Sequence, residues 1–510
     1  MSDHLFGIVR GTERPTPRFR RGARWLLLLA VAALLGFAAC GDDDEPTPIE
    51  PGETVPLGPT NLQVSSRTVN RVVLTWEDES TNERGFHVYR STSETEEGDL
   101  VATLNLNAVT YADGGLAENT TYHYHVHSFN DEGESDEAAE TSASTFPLLG
   151  SISTWAGNGL EAWDGDGNTL LESSLYWPID MLWTESGDGY ILDWNNHRVR
   201  LVTNSGTLET VIGDYVGDGP LDQSDLVLPG APGTECRLNH PTDFMEMNDG
   251  TGRLLLTTWH NHKLRTYDPM TGLVFVMLGR GAGYRDNVPA DSGLMNQPCA
   301  SVVTKDGIIY TLDQRNQRIR RTDPNGMITT VVGNNGPLPP PFPPGGFSGD
   351  GGPPALAEMK QPTGPNPQPG GGMVIDEQGR IYFSDVLNHR VRRVDFDANI
   401  IETIVGNGIA AYAGDGGPAA SASLNNPRDL EFGPDGRLYI ADERNNVIRA
   451  VDLTTNIITT VAGNGTAAFA GDGMPATSAS LDRPTGIAFD EFDDLYICDA
   501  KNNRIRRVDL

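Results

Sequence analysis

The sequence predicts an all-β protein in which a small domain of short strands precedes a ring of six repeated sheets. Three observations predict it. A motif reading Tyr-Ile-x-Asp, with Asn three residues after the Asp and Arg seven after it, returns six times in the last 360 residues. Each copy is followed by a short β-branched run that ends in Gly. The stretch from Gly58 to Phe146 holds short runs at strand spacing, such as Tyr122-His123-Tyr124-His125-Val126. A period of this length means a repeat architecture, so the unit must be read before any single site.

The first element is a leader. Arg10, Arg14, Arg18, Arg20, Arg21 and Arg24 precede an apolar run from Trp25 to Ala39, and Cys40 follows. A basic start, an apolar core of about 15 residues and small residues before the cut describe a signal peptide rather than a spanning helix. The run Leu35-Gly36-Phe37-Ala38-Ala39-Cys40-Gly41 resembles a bacterial lipoprotein box, with Phe37 in place of the usual aliphatic residue. The resemblance implies that residues 1–39 are removed and that Cys40 carries the lipid. Plain secretion or an uncleaved anchor are the other readings. Arg20-Arg21 reads as general basicity, because the residues after it lack the twin-arginine pattern. Residues 40–57 are acidic and Pro-rich, as expected of a solvated tether.

The formal charge is −33, and the leader contributes a net +4, so the chain beyond it carries near −37. That excess opposes nucleic acid and anionic lipid as partners, leaving the lipid anchor as the one membrane contact expected. Cys236 and Cys299 fall near the starts of neighbouring units, which leaves their pairing open; Cys498 lies in a strand and reads as inert packing.

Residues 58–147 form the second element. Leu74-Thr75-Trp76, Gly85-Phe86-His87-Val88-Tyr89-Arg90 and the run through Tyr122 resemble a fibronectin type III domain. The resemblance implies a two-sheet β-sandwich in which Trp76 is the core Trp of the second strand and Tyr122 the Tyr of the corner motif. Four Arg against sixteen acids make its surface acidic. His123, His125 and His127 alternate, so they share one face. Tyr122, Tyr124 and Val126 take the core positions, and the histidines are expected outward on an exposed sheet rather than as metal ligands.

Residues 150–510 form the third element. The motif copies are Asp193, Asn196, Arg200; Asn261, Arg265; Asp313, Asn316, Arg320; Asp385, Asn388, Arg392; Asp442, Asn445, Arg449; and Asp499, Asn502, Arg506, with Thr258 standing where the second copy lacks Asp. Closing glycines from Gly279 to Gly333 and from Gly333 to Gly406 lie 54 and 73 residues apart. Each unit reads as four short antiparallel strands, in the last unit Gly486–Phe489, Leu495–Cys498, Arg504–Val508 and the run before Gly. Six such units make a β-propeller. The Asn-His-Arg-Val runs at Asn196 and Asn388 sit in units that resemble NHL repeats, which implies a six-bladed ring. The region opens on Ile152–Trp155, a fourth-type strand, and stops after a third-type strand. The first strand is therefore expected to complete the last blade and remove an exposed edge.

The Asp and Arg of the motif read first as structural: the Asp bonds turn amides and the Arg is expected to reach carboxylates across blades. His197, His262 and His389 recur after the Asn, with His260 beside Asn261. Some NHL propellers are lyases with His-held metal, but this position reads as repeat filler. The functional candidates are the Gly/Asp loops carrying Asp166, Asp218, Asp350, Asp415 and Asp472, with Phe342 and Phe347 near a Pro-rich insertion at 337–346. These loops and the Asp-x-x-Asn turns share one face, and loops on a rigid scaffold carry function more often than the scaffold does. A second Pro-rich insertion, 361–370, is expected to rise from that face. No cofactor is expected; calcium at one loop is the alternative. The reading is a non-catalytic, exported, lipid-anchored binding or scaffold protein of the bacterial cell envelope, at the outer membrane or cell surface. It is expected to recognise a protein or polysaccharide through the loop face, with no asymmetric cluster of titratable groups to suggest chemistry. The alternative is a metal-dependent lyase or hydrolase acting in the central channel.

Overall fold

The structure, a computed structural model, describes residues 54–67, 71–117, 120–145, 150–214, 229–333, 343–364 and 367–510. Cys40, Asp218 and Phe342 lie outside them. The architecture is all-β, with single 3₁₀ turns and no α-helix among the described residues. No helix among them is long and apolar enough to cross a membrane.

In the N-terminal sandwich, Thr60–Arg67, Arg71–Glu77 and Thr110–Gly114 form one sheet. The other is built on Asp99–Asn105, Gly85–Ser91, Thr121–Asn130 and Ala139–Ser144. Strict alternation in Thr121–Asn130 turns Tyr122, Tyr124 and Val126 into a core shared with Val72, Leu74, Trp76 and Phe86. The Tyr122 hydroxyl accepts the backbone N–H of Ala117 at 3.0 Å, as a corner Tyr should. The histidines of that strand face away from the core, as expected, yet they are half-buried rather than exposed. His127 meets Glu97 at 2.8 Å and His125 meets Glu140 at 3.5 Å, because long acidic side chains from a neighbouring strand and from the loop before another fold over the ring edges.

The described residues between 150 and 510 form six antiparallel sheets. The inner strands are Pro178–Trp183, Pro241–Glu246, Pro298–Val303, Met373–Ile375, Pro427–Phe432 and Pro484–Phe489. Each packs against the next in chain order, and the last packs against the first. Ser151–Ala156 pairs with Arg504–Val508, with Ile152 opposite Val508 and Thr154 opposite Arg506, as the strand register leads one to expect. Every second strand is buried along its length, because both faces of each sheet meet a neighbouring sheet.

The unit has more than the four expected strands. Each lead-in loop also pairs with the outermost strand of the sheet it enters: Ala231–Pro232 with Leu273–Leu278, Val288–Pro289 with Met327–Val332, and Met474–Pro475 with Ser151–Ala156. In the other three sheets the pairing shrinks to one bridge, such as Pro418 with Ile457. The gain is coverage of an edge that would otherwise present unpaired N–H and C=O groups.

Cys236 and Cys299 are buried free thiols, so they are not bridged. Cys498 is buried, as its strand position implies.

Candidate functional site

The repeat signature folds into one device, seen in five sheets. The Asp closes the second strand, and a 3₁₀ turn follows. One carboxylate oxygen of Asp193 accepts the backbone N–H of Tyr176 at 2.8 Å, and the other accepts the Asn196 amide at 2.8 Å. That amide also donates to the Ala162 carbonyl in the lead-in loop. Asp313, Asp385, Asp442 and Asp499 repeat both contacts with Asn316, Asn388, Asn445 and Asn502. In the second sheet, where Thr258 replaces the Asp, Asn261 itself accepts the backbone N–H of Asn239. Burial pushes Asp193, Asp385 and Asp499 up to about 6 and Asp442 to about 7, against these hydrogen bonds and the nearby Arg.

Contrary to expectation, the signature Arg does not pair with carboxylates of a neighbouring sheet. Arg200, Arg320, Arg392, Arg449 and Arg506 are wholly buried, and each lies between the Asp of its own sheet and an acid of its own lead-in loop. Those loop acids are Asp166 at 3.1 Å, Asp286 at 3.2 Å, Asp350 at 2.7 Å, Asp415 at 2.6 Å and Asp472 at 2.5 Å. The loop folds back over the sheet it enters and brings its own acid to the guanidinium. Four of the five loop acids, all but Asp286, are the binding-face candidates of the Gly/Asp loops. Each of these four also accepts a Thr hydroxyl of the outer strand: Thr210, Thr403, Thr460 or Thr154. They hold the loop to the sheet.

The residue after the Asn serves a third purpose. His197, His262, Gln317, His389, Asn446 and Asn503 all adopt the left-handed conformation, with φ of 53° to 59°. Each accepts a backbone N–H from the next unit: His240, Gln297, Gln361, Asn426, Arg483 and Trp177 respectively. The recurring histidines are therefore links between units. Among the described residues, no group of three His, Cys, Asp or Glu is placed to hold a metal ion.

Three features of this region are not legible in the sequence. The first is a ring of aromatic side chains on the loop face. Trp163, Phe347, Tyr412 and Phe469 stand three residues before the loop Asp, and Tyr284 two before Asp286. Each lies over a strand guanidinium: Trp163 on Arg198 at 4.1 Å, Tyr284 on Arg318 at 4.6 Å, Phe347 on Arg390 at 3.9 Å, Tyr412 on Arg449 at 5.3 Å and Phe469 on Arg504 at 3.9 Å. The four at the common spacing remain 41–43% exposed. The signal is present as a fixed offset between an aromatic and the Gly-Asp of the loop, but it passes for turn composition.

The second is a histidine and tryptophan cluster where the first two sheets meet. His240 Nδ1 lies 3.0 Å from His260 Nδ1, and the His240 ring packs 4.4 Å from Trp194 and 4.3 Å from His197. The sequence reads as lacking such an asymmetric group; residues 43 and 63 apart along the chain are brought together only by the folding of one sheet beside another. Burial, reinforced by the neighbouring imidazoles, lowers His240 to about 3, so it is neutral at pH 7.

The third is an axial cavity. Asp180, Asp243 and Asp429 occupy the same position of three inner strands, and each accepts a backbone N–H from the following sheet: Phe244, Ser301 and Ile487. A cavity of about 260 Å³ is lined from all six inner strands, and one of about 30 Å³ from five of them and from residues 369–372. Leu182, Met245 and Phe489 wall the wider one with Glu431. Burial, and then mutual repulsion, raises Asp243 to about 7 and Glu431 to about 8; burial raises Asp429 to about 6. At the narrow end Arg428 donates to the carbonyls of Pro369 and Gly370, the latter at 2.7 Å. Gln314 donates to Pro362 and Gln368 and accepts from Gly370 and Trp259. The described part of the insertion at 361–370 is thus tied down at the axis by a neighbouring sheet's Gln and a buried Arg, and does not rise from the face as expected. Phe347 lies at the rim, over Arg390.

The comparisons with known proteins agree with this architecture. The fibronectin type III domain family matches residues 57–144. "Protein SUPPRESSOR OF QUENCHING 1, chloroplastic" from Arabidopsis thaliana is 24% identical over 51% of this chain. Teneurin-1 from Gallus gallus is 28% identical over 44%, and NHL repeat-containing protein 2 from Bos taurus 28% over 26%. The chain spans only 22%, 8% and 19% of the lengths of these relatives. A structural-genomics protein of unknown function from Bacteroides thetaiotaomicron shares the fold with a TM-score of 0.53 at 16% identity, covering 90% of this chain and 98% of its own. An auxiliary nutrient binding protein from Bacteroides ovatus does so with a TM-score of 0.50 at 15% identity, covering 91% and 99%.

Proposed function

We propose that this chain is a non-catalytic binding protein of the bacterial cell envelope, acting through the loop face of a closed six-bladed NHL propeller. In this reading residues 1–39 are a leader, Cys40 is lipidated, 40–57 is a tether, 58–147 the fibronectin type III domain and 150–510 the propeller. The pairing of Ile152 with Val508 supports closure. The observation that carries the function is the ring of half-exposed aromatic side chains, each set on a hydrogen-bonded framework of Arg, Asp and Thr. Rigid aromatic anchors on a loop face are what a binding surface needs, because little is lost in ordering them. A solved relative of this fold named as a nutrient binding protein is consistent with a binding role.

Two experiments test it. Replacing Cys40 with Ala should release the protein from the membrane fraction; a carbonate-resistant membrane pool in the variant overturns the anchor. Changing Phe347, Asp415 and Asp472 should weaken capture of an envelope partner, while altering the turns at Asp435 and Asn325 on the opposite side should not. The reverse result overturns the face assignment.

A second reading rests on the axial carboxyls. Groups held partly protonated near neutrality are suited to general acid–base work, which would make the cavity a hydrolase site. Turnover of a substrate abolished by Glu431→Gln, with partner capture intact, would replace the first reading.

A further inference from the structure

Resting on the loop-face reading, we propose that the ligand is a neutral, hydroxyl-rich polysaccharide, bound by repeated aromatic–Arg–Asp stations around the rim. The unit of the site is best seen at the fifth sheet. The Tyr412 ring lies over the Arg449 guanidinium at 5.3 Å and is 43% exposed. Its hydroxyl meets Thr460 at 2.8 Å, and Asp415 accepts from Thr460 at 2.6 Å. Asp415 also pairs with Arg449 at 2.6 Å and accepts the Tyr412 hydroxyl at 3.3 Å, so a flat apolar surface stands beside a hydroxyl and a part-exposed carboxylate held in place, the pairing that a pyranose ring offers in reverse: C–H on its faces and hydroxyls on its edge. At the first sheet the station deepens into an open groove of about 520 Å³, lined by Trp163, Asp166, Arg198, Thr210, Asp214 and Thr234.

Three features choose the ligand class. Charge excludes polyanions: at −33 the chain repels them. The guanidinium under each ring already occupies one π-face, and a second cation on the outer face would meet repulsion from the first, so a neutral C–H surface suits it better. Repetition is the third. Four stations at the common spacing, at the first, fourth, fifth and sixth sheets, each present an exposed ring beside an Arg and an Asp, which matches a polymer that repeats and gives avidity without strong single contacts. A folded protein partner would need no such repetition.

The test is affinity electrophoresis of the full chain, solubilised in mild detergent, through gels containing neutral polysaccharides (a β-glucan, a galactomannan, a xyloglucan) or polygalacturonate. Retardation is expected in at least one neutral gel and not in polygalacturonate. Tryptophan fluorescence of the unaltered protein should change with the same polysaccharide. The triple variant Trp163→Ala, Tyr412→Ala, Phe469→Ala should weaken binding about a hundredfold, and each single change about tenfold or less. Tyr412→Phe should keep most of it, which separates ring stacking from a general loss of fold. Phe492→Ala and Met270→Ala, exposed in turns away from the stations, should change nothing. Absence of retardation in every neutral gel overturns the proposal. If a protein partner is instead captured through the same aromatics, the polysaccharide class falls and the loop-face reading survives. If binding depends on Glu431 and not on the rim, both fall.

Discussion

The side-chain carbonyl of Asn503 accepts the backbone N–H of Trp177 at 2.9 Å, joining residues 326 apart in the chain. It is the last of six equivalent links, and the one that returns from the final repeat to the first. The left-handed conformation at this position explains why Asn, His and Gln fill it. A short polar side chain tolerates positive φ and carries an acceptor that can turn back onto a neighbouring backbone.

Asn503→Leu should therefore cost about 1–3 kcal/mol, because it leaves a Trp177 amide without its acceptor. Denaturant midpoints of the variant and of the matching Asn446→Leu would check it. If the first change is as harmless as a surface substitution, the link from last repeat to first is not holding the ends together.

The two acids around each signature Arg should differ greatly in weight. Asp442 is buried and Asp415 is partly open to solvent, yet both approach Arg449. Asp442→Ala should cost about 3–5 kcal/mol by leaving a buried guanidinium short of a counter-charge. Asp415→Ala should cost about 1 kcal/mol or less. Equal losses on urea unfolding would contradict the division into frame and rim.

Stability should rise as pH falls from about 8 toward 5. Asp243 and Glu431 hold their protons to about 7 and about 8 when folded, above their ordinary values of 3.8 and 4.5. Between the ordinary and the raised values the folded chain binds more protons than the unfolded one, so raising pH costs stability. Glu431→Gln should flatten this dependence and gain on the order of 1 kcal/mol at pH 8. Thermal melts across that range would check both; a midpoint that climbs with pH contradicts the assignment.

Cys299 and Cys498 should resist thiol reagents in the native protein. Both are buried, and burial raises their thiols far above the ordinary range. Labelling that is slow under native conditions and fast in guanidinium is the expected result, and rapid native labelling would show that the axial region opens.

The sandwich, the six repeated sheets and the pairing of the first strand with the last were legible because each follows from short-range rules. Alternation puts Tyr122, Tyr124 and Val126 on one face, and a register that begins on an outer strand leaves a place for it at the end. The extra edge pairing of the lead-in loops was not legible, since two-residue strands such as Ala231–Pro232 carry no pattern. Nor was the true partner of the signature Arg, because sequence spacing shows that Arg200 and Asp166 recur together but not that the loop folds back over its own sheet.

What the sequence by itself determined is the repeat: its strands, its turns and the residue types that recur at each turn. Those depend on backbone preferences and on periodicity, which are local. What only the tertiary structure decided is where the repeats converge. The three axial carboxyls, the meeting of His240 with His260, the tying of residues 361–370 at the axis and the seating of each rim aromatic on a guanidinium all depend on how one sheet or loop lies against another. Packing and desolvation between distant segments set those contacts; the fixed offset of an aromatic from its loop Asp marks where the ring stands but not the guanidinium it lies on.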